Sequence, residues 1–250
     1  HVPQIEVAIA ELDTILILRH LQPLTSEDEV ILQDYGEKLK ITWYTQSGGL
    51  ETVKPLNEAV SLSYSLPDHD IKMSFLPTDF TQVNFELNQK MINLALQLLD
   101  LNKEDEVIDL FCGLGNFTLP ISRYVKSVVG IEGDSGLVER AKENASQNGV
   151  SNASFYKADL FEDVSGFEWF RGKKYSKALI DPARSGAIEI VELLPKLDVE
   201  RLVYVSCNPS TLARDTSRLI DLGFTLSSAG VMDMFPQTAH VESIALFLKK

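Results

Sequence analysis

Cysteine is nearly absent from the 250-residue sequence, which holds two, Cys112 and Cys207. Two thiols exclude a disulfide scaffold, and one chain cannot build a four-cysteine zinc or iron–sulfur site from them, so no metal is expected. A reducing cytoplasm is the natural setting. No stretch approaches eighteen apolar residues, so no membrane-spanning helix is expected. The start, His1-Val2-Pro3-Gln4-Ile5-Glu6, lacks the basic and apolar regions of a signal peptide. Basic residues are scarce too, 23 Lys and Arg against 36 Asp and Glu, for a formal net charge of −13. That balance argues against a generic nucleic-acid binder, whose affinity rests on cations that neutralise phosphates. The shortage is uneven. Residues 1–85 carry 13 acids and 5 bases, whereas residues 201–250 carry 4 acids and 5 bases. An anionic substrate is therefore expected to approach the C-terminal part.

With 44% hydrophobic and 24% charged residues, the chain has the composition and length of one large α/β domain, or of a domain with a smaller appendage. The first part reads as a small α+β region over residues 1–78. Thr14 to Leu18 is an apolar run of strand length, and Ser26 to Glu29 has capping-box spacing ahead of a helix to about Lys38. Leu39 to Tyr44 is a strand candidate, followed by the turn Ser47-Gly48-Gly49. Val60 to Leu66 and Ile71 to Leu76 alternate about the turn Pro67 to Asp70. Residues 79–250 change to a helix–strand alternation. A helix over Glu86 to Leu101 is expected to bury Met91, Leu94, Ala95 and Leu98. Strands are expected at Glu106–Phe111, Ser127–Glu132, Ala153–Tyr156, Lys177–Asp181, Arg201–Ser206, Phe224–Val231 and Ser243–Leu248. Helices are expected at Thr118–Arg123, Gly136–Asn148, Ala187–Leu197 and Thr211–Leu222. This pattern implies a doubly wound, mostly parallel sheet, and the absence of a helix between the last two strands makes one of them antiparallel.

Val107 to Thr118 is a strand running into a glycine-rich turn, Phe111-Cys112-Gly113-Leu114-Gly115-Asn116, and then a helix. Glycine lets backbone turn tightly and approach a ligand at the end of a parallel strand. Thr118 stands where a dinucleotide loop has its third glycine, which weakens a nicotinamide reading. Asp109 precedes the turn, and Glu132 ends the next strand 19 residues after Gly113, where a carboxylate can take both ribose hydroxyls. Asp159, after the third strand, suits an adenine amino group. Acids about a glycine turn resemble motifs I and II of class I S-adenosylmethionine-dependent methyltransferases. The plainer alternative is a tight βα turn with no ligand.

Ile180-Asp181-Pro182-Ala183-Arg184 ends the fourth strand, where such enzymes place a substrate-facing loop. Ala183 and Arg184 depart from the Asn/Asp-Pro-Pro-aromatic loop of amino-methylating enzymes. Ser206-Cys207-Asn208-Pro209 ends the fifth strand and opens a helix. A thiol there is expected to feel the positive end of the helix dipole, which would lower its pKa. Cys207 is thus a nucleophile candidate, with Glu242 as an acid downstream, whereas Cys112 reads as a small buried hydrophobe. His240 reads as a loop histidine lining the site rather than as a base.

Five ordered segments, Phe80–Asn84, Asp109–Phe117, Asp181–Gly186, Ser206–Asp215 and Asp233–Ser243, together resemble the bacterial RNA uracil-5-methyltransferase family. The likeness is strong over residues 70–250 and looser before them. Asp181-Pro182-Ala183-Arg184 is nearer to members acting on 23S ribosomal RNA than to tRNA-directed ones, which more often carry Asp-Pro-Pro-Arg. The resemblance implies a class I methyltransferase fold, S-adenosylmethionine as cofactor and 23S ribosomal RNA as partner, in a cytoplasmic monomer. It implies Cys207 as nucleophile, Glu242 as base, and Asp181 at the uracil edge or lining the cofactor pocket. Gln82, Phe111, Gly113, Gly115, Asn116, Glu132 and Asp159 carry over as cofactor contacts. Arg184 would balance enolate or phosphate charge, or else form a surface ion pair. The family usually adds an N-terminal β-barrel RNA-binding domain, and many members carry a four-iron–four-sulfur cluster. This chain has neither and reads as a catalytic fragment. Methylation of tRNA or another RNA, a cytosine-5 enzyme, and an inactive cofactor-binding domain are the competing readings.

Overall fold

A computed structural model describes residues 1–249, which fall into two units, His1–Ser65 with Lys72–Val83, and Leu66–Ile71 with Asn84 onward. In the first, β1 (Gln4–Ile9), β2 (Thr14–Arg19), β3 (Thr42–Gln46) and β4 (Lys54–Pro55) form a four-stranded sheet in that order. Strands β2 and β3 run parallel, joined by α1 (Ser26–Leu39), as a crossover connection requires. Ile15, Ile17 and Leu18 of β2 are buried. Two expectations shift here. The capping box sits one residue early, between Thr25 and Asp28, because Thr25 and Ser26 are both cap residues with acids three positions on. Strand β1 has no counterpart among the expected elements, and its alternating Ile5, Val7 and Ile9 are exposed. Strands β5 (Leu62–Leu66) and β6 (Ile71–Phe75) pair with each other about the turn Pro67–His69.

The second unit begins at α2 (Phe85–Leu99), capped by Asn84, whose side chain accepts the Leu87 amide. Its buried stripe is Met91, Ile92, Ala95, Leu96 and Leu99, rotated from the expected one, with Leu94 and Leu98 only half-buried. Both stripes are apolar at helical spacing, so the pattern alone could not choose between them. Then follow β7 (Glu106–Leu110), α3 (Thr118–Ser122), β8 (Ser127–Glu132), α4 (Ser135–Gln147), β9 (Ala153–Lys157), β10 (Lys177–Ile180), α5 (Ile188–Val191), β11 (Arg201–Ser206), α6 (Pro209–Asp221), β12 (Phe224–Met232) and β13 (Glu242–Lys249). The expected helix over Ala187–Leu197 is broken. One α-turn gives way to a 3₁₀ turn at Leu194–Leu197, because Pro195 removes a donor and crowds the preceding turn.

The seven strands lie in the order β12-β13-β11-β10-β7-β8-β9. All neighbours from β11 to β9 pair parallel, while β13 runs antiparallel to both β11 and β12. A bulge between Leu226 and Ser228 shifts the β12–β13 register. Ile108, Leu110, Ile180, Leu202, Tyr204 and Phe247 centre the core and are fully buried, which is why these strands read as continuous apolar runs. After β7 the chain moves toward β8 and β9, and after β10 it moves toward β11. The carboxyl ends of β7 and β10 therefore flank the point where the winding reverses, the usual place for a crevice in such sheets. Among the described residues no helix is long and apolar enough to cross a membrane.

Candidate active site

The turn after β7 is made by backbone. Phe111 (φ 65°), Gly113 (φ 55°) and Gly115 (φ 96°) all take left-handed angles, and the phenylalanine does so at a cost of about 1–2 kcal/mol. A Cβ added at Gly113 would meet no atom within 4 Å, whereas one at Gly115 would lie 3.3 Å from Leu119 Cγ. The Gly113 N–H donates to Glu132 Oε2 (3.0 Å), and the Asp134 N–H donates to the other oxygen (3.0 Å), which fixes that carboxylate at the end of β8. Thr118 takes the third-glycine place because its hydroxyl donates to Asp109 Oδ2. Asp109 is fully buried, and its Oδ1 has no hydrogen-bond partner among the described residues. Burial, reinforced by the charge of Glu132 and opposed by the Thr118 hydrogen bond, pushes its carboxyl up to about 7.

Cys112 is buried against Gly130, and burial raises its thiol well above the ordinary range. The Asn116 amide exchanges hydrogen bonds with Asn88 (2.9 and 3.1 Å). Asp159 is exposed and accepts the Phe161 N–H (3.0 Å), and the Phe161 ring lies 5.8 Å from that of Phe111.

Asp181 follows β10, with its N–H donating to Leu110 O across the switch point (3.3 Å). It is half-buried, and burial, then the charges of Glu242 and Asp109, push its carboxyl up to about 8. Cys207 and Glu242 meet through the sheet. The last ladder pair of β11 and β13 is Ser206 with Ser243, so the next antiparallel step sets Cys207 beside Glu242. Glu242 is only 5% exposed, and burial raises its carboxyl too. Cys207 is half-buried and does precede a helix N-terminus, where Pro209 takes the first turn and Asn208 caps the Ser210 amide. The expected lowering of its pKa is nevertheless overturned. Burial, then Glu242 and Asp181, push the thiol up, and its own backbone N–H and Arg184 only partly offset them. Arg184 is exposed, as is His240, whose ring meets Phe235 at 5.7 Å.

The carboxyl edge of the sheet thus gathers Asp109, Phe111, Gly113, Gly115, Glu132, Asp181, Cys207 and Glu242 within one unit. Gln82 belongs to the other unit, where its buried Oε1 has no hydrogen-bond partner among the described residues. Sequence reasoning passed over Asp215, Arg214 and Tyr204. Asp215 is fully buried on α6, in register with the buried Leu212 and Leu219. A carboxylate on an apolar stripe was the available signal, since such a group is buried only with partners.

A family model described as tRNA (Uracil-5-)-methyltransferase matches residues 38–250. The chain is 68% identical over 249 residues to a 23S rRNA (uracil(1939)-C(5))-methyltransferase of Vesicomyosocius okutanii, covering all of this chain and 57% of that protein. It is 51% identical to the like-named protein of Stenotrophomonas maltophilia, covering 56% of it. It therefore spans a little over half the length of the curated relatives it matches. Among solved structures, the tRNA (uracil-54, C5)-methyltransferase of Pyrococcus abyssi, in complex with S-adenosyl-L-homocysteine, superposes with a TM-score of 0.73 at 22% identity, over 97% of this chain and 58% of that one. Sheet order and superposition give the Rossmann-like class I methyltransferase fold, and by the family match the chain belongs to the tRNA (uracil-5-)-methyltransferase family.

Proposed function

We propose that the chain is the catalytic part, over residues 79–250, of a cytoplasmic, monomeric enzyme that methylates carbon 5 of a uridine in 23S ribosomal RNA. The observation that carries the reading is the thiol of Cys207 set beside Glu242 and Asp181 at the carboxyl edge of the parallel strands, in a chain whose curated relatives carry that activity in their names.

S-adenosylmethionine fits the residues present. Its sulfonium is cationic, and the edge supplies Asp109, Glu132, Asp181 and Glu242, carboxylates whose mutual repulsion a cation relieves. The turn at Gly113 leaves room for close approach. Phe111, Gly113, Gly115, Asn116, Glu132 and Asp159 would hold it, with Asp181 as a further contact. When bound it supplies an electrophilic methyl group. The neutral uracil ring has little nucleophilic character at carbon 5, and Cys207 changes that by adding its sulfur to carbon 6, which turns the ring into an enolate whose carbon 5 pair would take the methyl group, the pair of the broken bond staying with the cofactor's sulfur. Asp181 orients the uracil edge, and Arg184 offsets enolate or phosphate charge. Glu242 then removes the carbon 5 proton, and the pair left behind re-forms the ring double bond and expels the thiolate. A carboxyl raised by burial is the stronger base once ionised, which suits Glu242 to that step. The uridine must leave its stack to reach these groups, as RNA loops permit.

The test uses unmodified 23S ribosomal RNA, labelled S-adenosylmethionine and nucleoside mass spectrometry. 5-Methyluridine in that RNA is the expected product, and label on any other base would overturn the assignment. A tRNA arm tests the second reading, which the family description and the Pyrococcus structure favour. Faster methylation there would replace ribosomal RNA by tRNA as the substrate.

A further inference from the structure

The loop after β10 is held from helix α6, two residues beyond Cys207. Its polar backbone atoms are taken in turn. Asn208 Nδ2 and Thr211 Oγ1 donate to Arg184 O (2.9 and 3.4 Å), and Arg214 Nη2 donates to Ser185 O (3.0 Å). The Ala187 N–H donates to Asp215 Oδ2 (2.8 Å). That oxygen also accepts the Tyr204 hydroxyl of β11 (2.6 Å), while Arg214 grips Oδ1 through Nε (2.8 Å) and Nη2 (2.7 Å). Gly186 sits at φ 80°, and a Cβ there would lie 2.6 Å from Arg214 Nη2 and 2.7 Å from Asp215 Oδ2. Loop and clamp are shaped to each other at that point.

We propose that Arg214 and Asp215 are positioning residues, which fix the backbone from Arg184 to Ala187 and so set where Asp181 and Arg184 stand relative to the Cys207 sulfur. Its bearing on catalysis rests on the function proposed above. The geometry does not. One end of the loop carries Asp181 and Arg184, the other is anchored on a buried carboxylate, and Cys207 begins the element that supplies the anchor. The titratable and charged groups facing Cys207 are Glu242 from β13 and Asp181 and Arg184 from this loop, two carboxyls against one cation. Releasing the loop removes the cation's fixed place first, because Arg184 is exposed and, among the described residues, is held by the hydrogen bonds to its own carbonyl.

Alkylation of Cys207 by iodoacetamide from neutral to alkaline pH tests this with neither RNA nor cofactor, and the buried Cys112 is an internal unreactive thiol. Losing a facing cation pushes the thiol up further and lowers its thiolate fraction. The more basic thiolate regains part of that, leaving a rate about threefold lower at neutral pH. Arg214→Gln and Arg184→Gln are each expected to give this fall and to move the alkylation profile to higher pH, and the double variant is expected to fall no further. Asp215→Asn leaves a buried amide among three donors and risks failing to fold, whereas Arg214→Gln alters a half-exposed side chain and carries the test in that case. A wild-type profile in Arg214→Gln, or effects that simply sum in the double variant, would overturn the proposal. An altered profile alongside no methylation of any RNA by the wild type would overturn the function instead and leave the clamp standing.

Discussion

At the end of β7 the chain turns chiefly through its backbone angles. Phe111, Gly113 and Gly115 take left-handed angles, and a main-chain N–H meets the Glu132 carboxylate. At the ends of β10 and β11 the work falls to side chains from far along the sequence, Asp215 reaching back 28 residues to Ala187. The first region needs particular φ values and little else. The second needs partners. A turn made by backbone tolerates change in the side chains around it, while a loop held by a hydrogen-bond network transmits the loss of one member to the rest.

The widest separation of the two regions is expected from Cys207→Ala and Glu242→Gln. Cys207→Ala should reduce methyl transfer to background with calorimetric affinity for S-adenosylhomocysteine unchanged. Glu242→Gln should slow turnover by about 10²–10⁴-fold, and denaturing electrophoresis with methyl-labelled cofactor should reveal a covalent protein–RNA adduct. Loss of cofactor affinity in Cys207→Ala would break the comparison, because the two regions would then be one.

A smaller effect sharpens it. Gly113→Ala and Gly186→Ala both force a side chain into left-handed backbone, at about 1–2 kcal/mol each. Only Gly186→Ala drives its methyl into Arg214 and Asp215, which adds about 1–3 kcal/mol of overpacking. Urea denaturation should rank Gly186→Ala as clearly the more damaging, and equal losses would mean that the clamp gives way freely.

A pH-dependent effect concerns Asp181. Its carboxyl is raised to about 8 in the fold from an ordinary 3.8, so between those values the folded chain holds a proton that the unfolded chain has lost. Stability therefore falls as pH rises through that window, and Asp181→Asn removes its share of the slope. The variant should melt at the same temperature as the wild type near pH 4 and higher near pH 8, by about 2–4 °C for each kcal/mol regained. A gap that is constant across pH would mean that Asp181 is not strained.

What could be read from the amino-acid order follows the same division. The strands of the second unit are apolar runs closed by turn residues, and both glycines and acids of the β7 turn lie close together in the chain, so local signals located them. Pro195 marked the break in the helix after Ala187, yet the apolar spacing there favoured continuation. The stripe that α2 buries is decided by the sheet it packs on, which no local pattern carries. The Cys207 environment needed charges from two other strands to be weighed together, and the helix end, the one local feature, gave the wrong sign. Asp215 finds its partners on β11 and beyond α5, out of reach of spacing rules.

The antiparallel insertion of β13 has a consequence for how this site can vary in descent. Glu242 reaches Cys207 by ladder register, from the Ser206–Ser243 pair, and not by the length of residues 233–241 that precede it. Insertions and deletions in that segment, His240 included, leave the register that places Glu242 unchanged. A slip of one residue in β13 does not, since it brings Val241 or Ser243 opposite the thiol and turns Glu242 to the other face. The bulge between Leu226 and Ser228 lies on the far side of β13, so a mismatch with the edge strand is absorbed there before it reaches β11. Variation in this part of the molecule is continuous in the loop and all-or-none in the strand.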